Sequence, residues 1–181
     1  MLEDYPREAP LGVDDGTGWA CPVALPPPEV GAGEAEQLVH ALREELSRLQ
    51  PWYEESRRGR GRTTVGVSGI DAEAIGSAAD VLARSAGGET VAPPDGAVHD
   101  LPVLYRFLAD DVKAYYFEAA AAQPARVAPT SDELARWLFT ETVLGDVLFR
   151  LRERFAASDD QAERWLQGVI VPVAYQQLGR S

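Results

Sequence analysis

The sequence predicts an all-α protein, a mostly antiparallel bundle of about five helices preceded by an extended N-terminal arm. Three observations carry this. Apolar residues recur at spacings of three and four along several segments. Pairs of the form Ser/Thr-x-x-acid or amide, which close the first turn of a helix, precede three of those segments. The one β-prone stretch, "TTVGV" at 63–67, is too short to stand alone as a strand. With 181 residues and 45% hydrophobic content, the chain can bury one sizeable core, which places residues 33–181 in a single helical-bundle domain.

Residues 1–32 are rich in proline and glycine and have neither helical nor alternating apolar spacing, so they read as an extended arm. Trp19, Val23 and Leu25 give that arm apolar residues with which to dock on the body or on a second copy. Cys21 lies in "WACPVALPPP", with no helix start and no adjacent His to activate it, and reads as inert.

From Gly33 the pattern turns helical. Leu38, Leu42, Leu46 and Leu49 form one stripe, and Glu34 and Glu36 sit where a helix dipole favours acids. Pro51 predicts a kink, after which helix-compatible residues continue to Gly59. Ser68 and Asp71 match a capping box for a second helix reaching about Ala86, and "GGETVAPPDGAV" reads as a loop. A third helix follows with Asp100 as its cap and Pro102 in its first turn. Its stripe of Leu101, Leu104, Leu108, Val112, Tyr115, Ala119 and Ala122 is bordered by Asp111 and Glu118. Thr130 with Glu133 caps a fourth helix running to about Phe155, and Ser158 with Gln161 a fifth that Pro172 kinks or ends.

Composition narrows the function. A formal charge of −12 argues against nucleic acid, since a protein that neutralises phosphates needs excess Lys and Arg on its binding face. No stretch offers the roughly 18 consecutive apolar residues of a spanning helix, which argues against membrane insertion. The acidic "MLEDYPREAP" does not resemble a secretory signal, and the expectation is a cytoplasmic protein. No phosphate-loop, dinucleotide, zinc or nucleophile-elbow motif occurs, and His40 and His99 lack the Glu-x-x-His setting of di-iron bundles. Asp110, Asp111, Glu118, Glu141 and Asp146 have the chemistry for a hard cation, but acids at helical spacing in an acidic chain are usually solvated, so neither a metal nor a cofactor is expected.

Two features remain. The run "RRGRGRTTVGVSG" packs four arginines and four glycines into residues 57–69 ahead of a helix start. It reads as a hinge with solvated arginines or, alternatively, as a local site where Arg60 and Arg62 hold an anion or an acidic partner. Glu141 falls seven residues after Leu134 and three before Leu144, so a straight helix turns its carboxylate inward, toward Lys113 or Arg136 as counter-ions or toward a wet cavity. Glu141, Asp111 and Tyr115 are therefore the catalytic candidates. Arg60, Arg62, Lys113, Tyr116 and Trp137 are the candidates for ligand contact. The absence of a catalytic signature favours a non-catalytic accessory or interaction protein with a protein partner or a second copy of itself. The alternative is a small-molecule enzyme or binding protein with an acidic, aromatic-lined site in the bundle interior.

Overall fold

The computed structural model describes residues 33–177 apart from 96, 98, 100 and 126. The arm with Trp19, Cys21, Val23 and Leu25, and the cap expected at Asp100, lie outside the described residues. The described chain is all-helical, with six α-helices: α1 Glu34–Arg60, α2 Ile75–Ala86, α3 Val103–Ala121, α4 Ser131–Glu141, α5 Val143–Ala156 and α6 Gln161–Leu166. Single 3-10 turns at Ala72–Ala74 and Val173–Tyr175 complete it.

The core follows the expected stripes. Leu38, Leu42, Leu46 and Leu49 turn one face of α1 inward, where α2 and α3 pack on it, and α5 closes the far side of α2. Leu104, Leu108, Val112, Tyr115 and Ala119 of α3 are buried as their spacing requires. α1 continues past Pro51 as one helix to Arg60, as the helix-compatible residues after the proline led us to expect. The proline is exposed, and so is Ser47, whose carbonyl loses an amide partner there, so water can take the missing donor's place while the core face remains intact.

Three boundaries differ from the sequence expectation, each for a local reason. Ser68 does not cap α2, because its hydroxyl and amide both turn to Asp111 of α3; the helix proper starts at Ile75 after the 3-10 turn. α6 is capped by Asp160, which accepts from the amides of Ala162 (2.7 Å) and Glu163 (3.2 Å), and not by the Ser158/Gln161 pair. The long fourth helix is two, which raises the count from five to six. The capping box of Thr130 and Glu133 opens α4 as expected. At Thr142, however, the backbone is extended, with φ −119° and ψ 152°.

Thr142 serves both sides of that corner. Its hydroxyl donates to the Leu138 carbonyl at the end of α4 (2.7 Å) and accepts from the Gly145 amide at the start of α5 (3.0 Å). A Cβ on Gly145 would lie 2.3 Å from the Leu138 carbonyl oxygen, so only glycine lets the two helices meet this closely. Gly145→Ala should therefore destabilise the protein by about 1–3 kcal/mol, the usual range for overpacking. Gly76→Ala, where an added Cβ meets nothing within 4 Å inside α2, should instead stabilise it by about 0.5–1 kcal/mol through helix propensity. Urea denaturation of the two variants beside wild type checks the contrast.

Candidate functional site

The arginine-glycine stretch forms a loop whose donors close on the protein's own carboxylates. The amides of Gly66 (2.7 Å) and Val67 (2.9 Å) donate to one oxygen of Asp111. The Ser68 amide (2.9 Å) and hydroxyl donate to the other. One turn-pair along α3, Glu118 accepts from the Thr63 hydroxyl (2.9 Å) and from the amide (2.7 Å) and hydroxyl (2.8 Å) of Thr64. Gly66 has φ +126°, a conformation that a side chain rarely adopts, and it sits where the chain bends to aim successive amides at Asp111. Both carboxylates are buried, where acids at helical spacing in an acidic chain were expected to be solvated; the donors of the loop stand in for water. Asp111 thus has its lone pairs occupied by the loop and no access to a substrate.

The remaining catalytic candidates are placed elsewhere. Glu141 is exposed at the last position of α4, a correction to its expected inward placement: the break at Thr142 ends the straight helix on which that expectation rested. Tyr115 is buried and stacked on Tyr53 with ring centroids 4.1 Å apart, and burial pushes its hydroxyl well above the ordinary tyrosine range. Asp111 is committed to the loop, Tyr115 to Tyr53 and Glu141 to solvent.

The buried carboxylate that the stripes did not single out is Glu45. It points from α1 to the start of α5, where its oxygens accept from the amides of Val143 (2.7 Å) and Leu144 (3.2 Å) and from the Tyr116 hydroxyl (2.7 Å). Together with Thr142 it satisfies the first three amides of α5, and its charge lies at the positive end of that helix. Burial pushes the Glu45 carboxyl up to about 7, while the two amides and the Tyr116 hydroxyl pull it back down. Tyr116 and Trp137, expected as ligand contacts, are core residues with ring centroids 6.0 Å apart.

An open groove of about 650 Å³ lies between α3, α4, the loop and the turn at Val173–Tyr175. Ala114, Phe117, Leu134 and Phe139 give it apolar walls, and Tyr175 stacks on Phe139 at 5.3 Å while donating to Asp132 at 3.0 Å. Two of the expected ligand residues, Arg60 and Lys113, meet in its lining; Arg62 is exposed beside the loop but does not line it. Lys113 pairs at 2.8 Å with Asp110, three residues before it on α3, and not with Glu141. His40 is exposed, and His99 packs on Phe107 at 4.6 Å. Among the described residues, no group of three or more His, Cys, Asp or Glu side chains is placed to hold a metal ion, and no helix is long and apolar enough to cross a membrane. In comparisons with protein families, curated proteins and solved structures, the chain matches none.

Two outcomes follow for the carboxylates. Asp111→Ala leaves several buried donors without an acceptor and should cost about 3 kcal/mol or more, whereas Glu141→Gln on the surface should stay within about 0.5 kcal/mol. Thermal and urea melts separate them. For Glu45 the sign is set by its raised value. An unfolded glutamate has lost its proton by about pH 6, whereas the folded chain keeps it to about 7, so folding takes up a proton in that window. The stability that Glu45 contributes is therefore full below about pH 4.5 and falls as pH rises to about 7, by at most about 1.4 kcal/mol per pH unit. Glu45→Gln should flatten that decline in urea denaturation at stepped pH. An unchanged slope would contradict the raised value.

Proposed function

We propose that the protein is a non-catalytic interaction protein that takes an apolar segment of a protein partner in the groove between α3 and α4. The groove itself carries this reading. It is open, and Ala114, Ala121 and Ala135 stand in its lining among larger aromatic and aliphatic side chains, leaving room for the side chains of an incoming helix. A bound segment would anchor through residues spaced one helical turn apart, with the polar rim setting its register. The catalytic alternative lacks comparable support, because its three candidate groups face three different environments.

The test is a random-peptide display selection against the wild-type protein and against Ala135→Trp, which fills the groove from its α4 wall. Selected peptides should carry apolar anchors at helical spacing, and their affinity should fall at least about tenfold, or about 1.4 kcal/mol, for the filled variant. Ala114→Glu on the opposite wall should act in the same direction, with circular dichroism and melting curves confirming that both variants fold. Peptides that bind the filled variants as well as wild type would remove the groove as the recognition surface.

A small apolar molecule in the same groove is the second reading, favoured by its volume, which falls within the roughly 300–1,000 Å³ usual for ligand pockets. A small-molecule screen by thermal shift should then give hits that raise the melting temperature of wild type but not of Ala135→Trp.

A further inference from the structure

We infer that the α4–α5 corner is a proton-controlled hinge. With a proton on Glu45 the start of α5 stays seated on α1 and α3, and when that proton leaves, the corner opens to let water reach the carboxylate. Thr142 is the single non-helical residue between α4 and α5, with φ −119° and ψ 152°, so a change of a few dihedrals there turns one helix against the other. The hydrogen bonds that tie the corner's backbone to another helix are those that Glu45 accepts from the amides of Val143 (2.7 Å) and Leu144 (3.2 Å). One side chain therefore holds the hinge shut. Because Leu134, Ala135 and Phe139 of α4 line the groove, the hinge carries one groove wall.

That side chain is a buried acid without a counter-ion. Glu45 is 3% exposed and has no ion pair among the described residues. The charged and titratable groups of every neighbouring helix are committed elsewhere or neutral. On α1, Arg48 is exposed and paired with Glu44; on α2, Asp80 and Arg84 pair with Arg43 and Glu36. On α3, Tyr116 donates to Glu45 at 2.7 Å and Tyr115 is stacked on Tyr53. On α4, Glu141 is exposed, and on α5, Asp146 pairs with Arg150. Ionisation thus places an unpaired charge in the interior, eased only by three hydrogen bonds and a helix start. Burial accordingly pushes the carboxyl up to about 7, whereas in an opened corner it meets water and returns toward the ordinary 4.5. Opening then releases a proton between those values, and becomes easier by up to about tenfold per pH unit. Tyr116 serves both states, since its hydroxyl donates to the carboxylate and can turn to accept from the protonated acid.

Amide hydrogen exchange of the full chain, followed by NMR at stepped pH and corrected for the intrinsic rate, reads the hinge. Exchange at Val143, Leu144 and Gly145 should be faster than at Leu82 in the core of α2 and should not respond to low urea, which marks a local opening. The opening equilibrium should rise several-fold per pH unit from about pH 4.5 to about 7. Glu45→Gln should abolish that rise, and His40→Gln, on the exposed side of α1, should keep it. Tyr116→Phe removes a donor to the ionised form and should move the midpoint to higher pH. The inference is overturned if the corner amides exchange only with global unfolding, as Leu82 does, or if their opening in wild type is flat across this range. A rise that survives Glu45→Gln, or that His40→Gln removes, assigns the proton to another group and overturns it likewise. Should Glu45→Gln fail to fold, the carboxyl carbon resonance of Glu45 in wild type decides. A midpoint shared with the corner supports the hinge, and titration in the ordinary glutamate range overturns it.

Discussion

The arrangement of the helices depends on one carboxylate meeting one helix end. Glu45, fixed on the inner face of α1, receives the first amides of α5 and the hydroxyl of Tyr116 from α3. A helix start buried without acceptors would leave several donors unsatisfied, each costing of the order of 1–3 kcal/mol. Because α5 begins in the interior, its start has to be met by a side chain from elsewhere, and Glu45 is the group that meets it. The same contact fixes the position of the α4–α5 corner, and with it the direction in which α4 leaves to form one wall of the groove.

A second pair of carboxylates applies the same chemistry to a loop. Asp111 and Glu118 stand seven residues apart on α3, two turns along one edge, and each gathers three or four donors from residues 63–68. Neither has a cationic partner in these contacts; hydrogen bonds from amides and hydroxyls stabilise the carboxylates in place of water. That loop forms the other side of the groove, so the surface proposed for recognition is bounded on both sides by internal carboxylate contacts.

Much of this was legible in the sequence. The leucine stripes of α1 and α3, the Thr130/Glu133 capping box, the Lys113–Asp110 neighbourhood and the edge position of Asp111 and Glu118 all follow from helical spacing. What escaped was long-range. Glu45 is three residues from Leu42 and next to Leu46, so its burial could be suspected, but its partner lies about a hundred positions away, and spacing along one helix carries no information about the end of another. Thr142 was a readable helix cap, followed three residues later by glycine and then by an acid suited to a first turn. The apolar pattern runs unbroken from Leu134 to Phe155 across that cap, so spacing alone turns Glu141 inward where the structure exposes it. Ser68 failed as a cap for the reverse reason: a local pattern lost to a stronger tertiary acceptor.

The loop at 63–68 has a consequence for competition. Its successive amides at Gly66, Val67 and Ser68 are a donor set of the kind that attracts anions, yet Asp111 and Glu118 are tethered beside the loop on a rigid helix. Tethering gives these carboxylates an effective concentration that a dissolved anion at cellular levels does not match. The loop's donors are therefore taken up by the chain's own carboxylates, and they serve the fold. Of the arginines just before it, Arg57 and Arg58 pair with Glu73 and Glu55, and Arg60 and Arg62 stay exposed with no ion pair among the described residues.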